Sequence, residues 1–148
     1  MEGMEQFAAL VAGDMNGLDA RIDAADQAAN PPDTGWRDIT TGVPNHVSGR
    51  LLIRRRGNEL MVALDQLALS VSGQVEFERL PNGLRPLFRI RDAWFPSTGT
   101  AAGGHVNISG GGYFNVYDVV ADQAMTARMA GDFPDGYAFP SPTPGDPA

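Results

Sequence analysis

Apolar positions follow two different periods along this chain. From Met1 to about Asn30 the apolar set Met4, Phe7, Val11, Met15, Leu18, Ile22, Ala25 and Ala29 advances in steps of 3, 4, 4, 3, 4, 3 and 4. That spacing predicts an α-helix with a narrow coiled-coil seam and one stutter, where two steps of four adjoin. The opposite face carries Glu5, Asp14, Asn16, Asp19, Asp23 and Asp26. Gly13 and Gly17 each cost about 1 kcal/mol in a lone helix, so the apolar stripe needs a partner that buries it. The partner is either the downstream part of the same chain or the same helix of another copy, and the narrow seam favours the oligomeric coil. Asn30-Pro31-Pro32-Asp33 stops the helix, and residues 31–34 read as a stiff linker.

From Gly35 onward the period is two. Leu60, Val62 and Leu64 alternate with Met61 and Ala63; Val75 and Phe77 alternate with Gln74, Glu76 and Glu78. Val106 and Ile108 alternate with His105, Asn107 and Ser109, and Phe114 and Val116 with Tyr113, Asn115 and Tyr117. These are half-buried strands, separated by turn residues at Gly57-Asn58, Ser72-Gly73, Pro81-Asn82-Gly83 and Gly110-Gly111-Gly112. Gly57-Asn58, flanked by residues 50–56 and 59–65, predicts a tight hairpin. Strands at this spacing indicate a mainly β domain over 35–132, an antiparallel β-sandwich or barrel. Ala121–Ala130 fits a short helix or a last strand. The segment 133–148 holds Pro134, Pro140, Pro142, Pro144 and Pro147, which argues against helix and strand. It reads as a disordered tail or an extended arm laid across a neighbour. Phe133, Tyr137 and Phe139 suit an anchored arm better than a disordered one.

Composition narrows the function classes. The 148 residues carry a net charge of -7, which argues against nucleic acid as a partner. Charge is uneven: residues 1–30 have six acids and one Arg, whereas residues 50–91 have eight Arg and four acids. All eleven basic residues are Arg, a compositional bias that fits a GC-rich coding genome. Without Cys there is no disulfide framework, thiolate metal site or Cys nucleophile. No stretch approaches the roughly 20 apolar residues of a membrane-spanning helix, and the start Met-Glu-Gly-Met-Glu has no signal-peptide character. A protein assembled in a host cytoplasm and released by lysis is expected to look like this.

Candidate chemistry is sparse. His46 and His105 lack a second His at metal-ligand spacing, and the glycine runs lack the Lys of a phosphate loop, so no metal or cofactor is expected. Glu76 and Glu78 share the exposed face of one strand, which is ordinary for a solvated sheet. Arg54-Arg55-Arg56 runs into the hairpin turn, with Arg54 and Arg56 on one face and Arg55 on the other. Arg54 and Arg56 are candidates for an anionic or partner contact, although pairing with Glu59, Glu76 or Glu78 also explains them. Trp36 and Trp94 are candidates for stacking on sugars, or core and interface anchors. A non-enzymatic protein is expected.

Several stretches, in order, carry a resemblance. They are Asp33-Thr34-Gly35-Trp36-Arg37-Asp38-Ile39, then Leu52-Ile53-Arg54-Arg55-Arg56-Gly57-Asn58, then Leu80-Pro81-Asn82-Gly83-Leu84-Arg85-Pro86, and last Gly104-His105-Val106-Asn107-Ile108 with the glycine run after it. The order resembles a β domain found at the C-termini of bacteriophage tail fibres, baseplate proteins and minor tail proteins, across about residues 33–117. The third stretch is similar to that family's Leu-Pro-x-Gly-Phe-Arg-Pro, with Leu84 in place of the Phe. About 30 residues stand before the domain in this sequence, where the family carries a long shaft. The resemblance implies a trimeric β-sandwich displayed on a virion and touching the host surface; the seam alone does not distinguish dimer from trimer. The leading expectation is a homotrimeric, tail-associated structural protein that contacts host-surface glycan or neighbouring tail proteins. The alternative is a decoration protein or head fibre on the capsid exterior. A glycan-cleaving enzyme and a non-viral cytoplasmic binding module are more distant readings.

Overall fold

Gly57 sets the first register. Its φ of +58°, with Asn58 at negative φ, gives the two-residue turn that has glycine at its first central position, matched to strand twist. Around it β2 (His46–Arg56) and β3 (Glu59–Leu69) form the long hairpin predicted from sequence, with Arg56 opposite Glu59 and Ile53 opposite Val62. The structure is a computed structural model and describes residues 31–97, 103–134 and 137–148. The seam positions Met4, Phe7, Val11, Met15, Leu18, Ile22 and Ala25 lie outside the described residues.

Asp33–Ala148 form one compact unit. Its remaining elements are β1 (Arg37–Asp38), a 3-10 turn at Thr40–Gly42, β4 (Gly73–Glu76), β5 (Ile90–Pro96), β6 (Gly104–Ile108), β7 (Phe114–Val119), β8 (Met125–Asp132) and β9 (Asp146–Pro147). Among the described residues no α-helix occurs. All pairings are antiparallel, and the strands join in the order β4-β7-β6-β5-β8-β3-β2-β1-β9. The expected sandwich is thus one curled sheet, a half-barrel with two free edges, in place of two separate sheets. β5 makes the corner: Ile90–Trp94 pair with β6, whereas Phe95 and Pro96 pair with β8. A short half (β4, β7, β6) and a long half (β8, β3, β2, β1, β9) curl around the same interior.

Irregular pairing accompanies the curl. Register shifts fall at Ser48 in β2 and between Leu64 and Leu67 in β3. At this bulge Gly49 has φ +78°, and a Cβ there would sit 2.0 Å from the Gln66 carbonyl oxygen. Only glycine fits, and the bulged pair bends and twists more than a regular one.

Alternation then sorts the side chains. Leu51, Ile53, Leu60, Val62 and Leu64 of the long half share one core with Trp94, Val106, Ile108, Phe114 and Val116 of β5 and the short half. Phe77 stacks on Phe114 with centroids 4.9 Å apart. Each fully buried side chain of this size contributes about 1.5–3 kcal/mol.

Of two remaining segments, one resolves between its two expected alternatives and the other departs from expectation. Ala121–Ala130 resolves into a turn at Ala121-Asp122 followed by β8, whose buried Met125, Ala127 and Met129 complete the interior face. The proline-rich end, expected to form no strand, folds back on its own domain, and Asp146–Pro147 pair with β1. Pro147 is tolerated because β9 is an edge strand, where a missing N–H interrupts no ladder.

Candidate functional site

The resembling stretches turn out to build the scaffold. Asp33 Oδ1 accepts the Gly35 N–H at 2.8 Å, and Thr34 Oγ1 accepts the Arg55 N–H at 2.9 Å. Asp38 Oδ1 accepts the Thr40 N–H at 2.9 Å, while Thr40 Oγ1 accepts the Leu51 N–H at 3.0 Å. In the third stretch, Leu80 and Leu84 are buried, and Gly83 turns the chain with φ +83° directly beneath Pro140, where a Cβ would approach to 2.9 Å.

Arg55 ties these pieces together. It is 1 % exposed and, by alternation, points into the domain beside Leu51 and Ile53. Among the described residues no carboxylate meets it. Its Nε donates to Gly57 O at 2.9 Å, Nη1 to Gly83 O at 2.9 Å and Ala138 O at 2.6 Å, and Nη2 to Tyr137 O at 2.7 Å. The guanidinium also lies over the rings of Phe133, Phe139 and Tyr137 at 4.2, 5.0 and 5.5 Å. Four of five N–H donors are thus satisfied by main-chain carbonyls, and three aromatic faces cover the cation. Burial shifts its pKa downward. Arg37 repeats the device further along the arm, donating from Nε to Pro144 O at 3.0 Å and from Nη2 to Gly145 O. The arm is therefore anchored, as its aromatic residues suggested, but to its own domain.

The candidate contact residues separate. Trp94 is 0 % exposed, and its Nε1–H donates to Tyr117 O at 2.8 Å. Its ring belongs to the core and faces no external ligand, so the sugar-stacking candidacy ends there. Trp36, Arg54 and Arg56 do share the outward side of the long half. Arg54 is held by Asp33, its Nε donating to Oδ1 at 3.0 Å in a two-point pair, so the expected pairing with Glu59, Glu76 or Glu78 is replaced by one between β2 and the segment ahead of β1. Hydrogen bonding to Arg54 lowers the Asp33 pKa despite some burial, with the Gly35 N–H adding to it. Arg56 is exposed, opposite Glu59.

Between these charges the long outward face is apolar. Leu52, Ala63 and Arg128 are adjacent across three strands, as are Arg54, Met61 and Ala130. Trp36 lies alongside with the Arg128 guanidinium 5.6 Å from its ring, and a shallow groove of about 370 Å³ is lined by Trp36, Leu52, Ala63 and Arg128 among others. Phe95, 64 % exposed, extends the apolar strip onto β5. Arg50 and Asp65 close the rim with an ion pair of 2.9 Å.

The short outward face differs. Asn107 stands between Arg91 and Asn115 on adjoining strands, and His105 beside Ala93. His105 and Tyr117 are stacked with centroids 4.3 Å apart and an 11° interplanar angle. Sequence reading identified the strands here but gave these outward residues no role. The signal was present in the polar half of the same alternation. Among the described residues no cluster of three His, Asp or Glu side chains converges. Comparison of the chain with protein-family models gives no match, and comparison with curated proteins gives none.

Proposed function

We propose that this protein is a non-enzymatic structural component of a bacteriophage virion, a tail-associated homotrimer that displays its β domain toward the host surface or neighbouring tail proteins. The observation that carries the reading is the outward face of the long half-sheet. Leu52, Met61, Ala63, Ala130, Trp36 and Phe95 form an apolar centre on the side opposite a complete core. Around it Arg54–Asp33 and Arg50–Asp65 make an ion-paired rim. An apolar centre with a polar rim is the anatomy of a protein–protein interface, and a second copy of the chain is its proposed occupant. The order of the resembling stretches adds the phage context and the trimer.

The arrangement suits display. An interface on the long half leaves the short half outward in each copy, and several weak sites on one assembly bind with avidity. The test is fractionation of the phage that encodes the protein, with mass spectrometry of isolated tails and tailless capsids. Presence on tails supports the reading. Presence on capsids alone moves the protein to the decoration or head-fibre alternative, and absence from both overturns the virion assignment.

A further inference from the structure

We propose that the outward face of β5, β6 and β7 is a binding platform for an acidic oligosaccharide, one whose sugars carry carboxylates. The proposal rests on the host-surface reading above and assigns it a site and a ligand class.

Three rows of side chains build the platform. The middle row is Arg91, Asn107 and Asn115, with Gln74 Nε2 donating to Asn115 Oδ1 at 3.3 Å. One end of the face is the His105–Tyr117 stack, and β5 offers only the methyl group of Ala93 beside it. The outer side of the imidazole is therefore uncovered by any large neighbour on that strand. At the other end stands Tyr113, 48 % exposed, with the Arg79 guanidinium 4.6 Å from its ring centroid. Arg79 is oriented by donating from Nε to Gly111 O at 2.8 Å.

Two features point to an external ligand. First, Arg89 and Arg91 are exposed and make no hydrogen bond, ion pair or ring contact with any described residue, in a chain of net charge -7. Second, the Asn107 side-chain oxygen is buried and has no hydrogen-bond partner among the described residues. A buried acceptor left unpaired calls for an explanation, and a carboxamide that no internal partner fixes is free to turn toward a bound hydroxyl.

Each group has a task that a sugar chain fulfils. Aromatic faces take the apolar face of a pyranose ring. Amides offer a donor and an acceptor to neighbouring hydroxyls. Guanidinium groups bind carboxylates through two parallel hydrogen bonds. Glu76 and Asp118 lie toward β4 and β7, whereas Arg91 on β5 and Arg89 just before it lie at the other side, and the β5 acid Asp92 is out of phase with Arg91, opposite Val106, so a carboxylate is directed to the β5 side. Tyr113, just before β7, and Tyr117 within it are four residues apart, about 13 Å for extended chain, which suits an oligosaccharide laid along the sheet better than one sugar.

The test is binding of the full-length protein to an array of bacterial surface polysaccharides grouped as uronic-acid-bearing, phosphate-bearing and neutral. Binding confined to the uronic-acid group is expected. It should fall by about tenfold or more in Arg91→Ala and in Tyr117→Ala, and stay unchanged in Val47→Ala, an exposed residue near the start of β2. Thermal unfolding of each variant keeps folding and binding apart. No binding to the uronic-acid group, binding only to phosphate-bearing or neutral glycans, or binding that survives Arg91→Ala combined with Tyr117→Ala overturns the proposal. Presence in tails with silence on the array sinks this platform and spares the virion reading. Binding through this face by a protein absent from virions does the reverse.

Discussion

The two outward faces of the sheet differ in most of their arginines, although the Arg56 side chain on the long half makes no hydrogen bond, ion pair or ring contact with a described residue and Arg79 on the short half is held by Gly111 and Tyr113. On the long half Arg50 is paired with Asp65, Arg54 with Asp33, and Arg128 lies against Trp36. Apolar side chains fill the space between them. On the short half Arg91, and Arg89 just before β5, have no partner among the described residues, and Asn107 stands beside Arg91. A guanidinium whose partner lies within its own chain acts on folding, whereas one without a partner acts on whatever arrives from outside. That difference separates stability from recognition and can be tested residue by residue.

The largest effect is expected from Arg55, the limiting case of a satisfied arginine. Arg55→Met keeps much of the volume but leaves the carbonyls of Gly57, Gly83, Tyr137 and Ala138 without their donor. The bond to Gly83 is buried and the other three are partly so; a buried group left unpaired costs about 1–3 kcal/mol and a wetter one less, so a loss of about 3 kcal/mol is expected in urea unfolding. Amide exchange of the arm from Tyr137 onward should accelerate with it. A variant as stable as the parent, with a protected arm, would mean the arm is held by its prolines and β9 alone.

Assembly is the next largest effect. If the long face meets another copy, Met61→Asp places a charge in an apolar contact and lowers the mass seen by light scattering. The amphipathic seam makes a competing claim, and Leu18→Asp or Ile22→Asp tests it in the same assay. Dissociation by Met61→Asp alone assigns assembly to the sheet, and dissociation by the seam variants alone assigns it to residues 1–30. Full assembly of all three removes the basis for both.

A smaller, pH-dependent effect belongs to the ion-paired rim and the turn after β1. Arg54 lowers the pKa of Asp33. Asp38 is also lowered; burial opposes the shift, and the Thr40 hydroxyl and N–H outweigh it, with Arg50 and His46 assisting. Both carboxylates are harder to protonate when folded, so their contribution is complete above the unfolded value of about 3.9. It is lost as pH falls through the lower folded values. Acid should therefore destabilise the domain below about pH 4, and Asp33→Asn should flatten that slope while costing stability at neutral pH. An unchanged slope in Asp33→Asn would show that the pair with Arg54 is too well solvated to matter.

How much of this was legible in the chain depends on whether local periodicity or distant contact decided it. The strands around Leu60–Leu64, Val106–Ile108 and Phe114–Val116, and the hairpin at Gly57-Asn58, follow from alternation and a turn dipeptide. The single curled sheet does not, because it depends on bulges opposite Gly49 and on β5 changing partner between Trp94 and Phe95. Alternation sets Arg55 on the face opposite Arg54 and Arg56, yet which face is buried is hidden. Its partners, Gly83, Tyr137 and Ala138, are 28, 82 and 83 residues away. Trp94 and Trp36 are the same residue type, and only the tertiary fold sends one to the core and the other outward. The platform was half legible: His105, Asn107, Asn115 and Tyr117 appear in the alternation as the polar members, but their adjacency requires the register of three strands.

The smallest effect on stability is the one that sharpens the comparison most. Arg91→Ala removes an exposed side chain with no partner among the described residues, so its unfolding free energy should stay within about 0.5 kcal/mol of the parent. Arg54→Ala removes an arginine of the same type from the facing half, but it strips Asp33 of the hydrogen bonds that fix the start of the domain. A loss of up to about 1 kcal/mol is expected there, because the pair is partly exposed and salt-screened. Raising the ionic strength should shrink the Arg54 effect and leave Arg91→Ala where it was. If Arg91→Ala proves as costly as Arg54→Ala, Arg91 has a structural partner and the division between inward-serving and outward-serving arginines fails. If only Arg54→Ala is costly, the guanidinium of Arg91 is held in the folded chain for a contact the folded chain does not make.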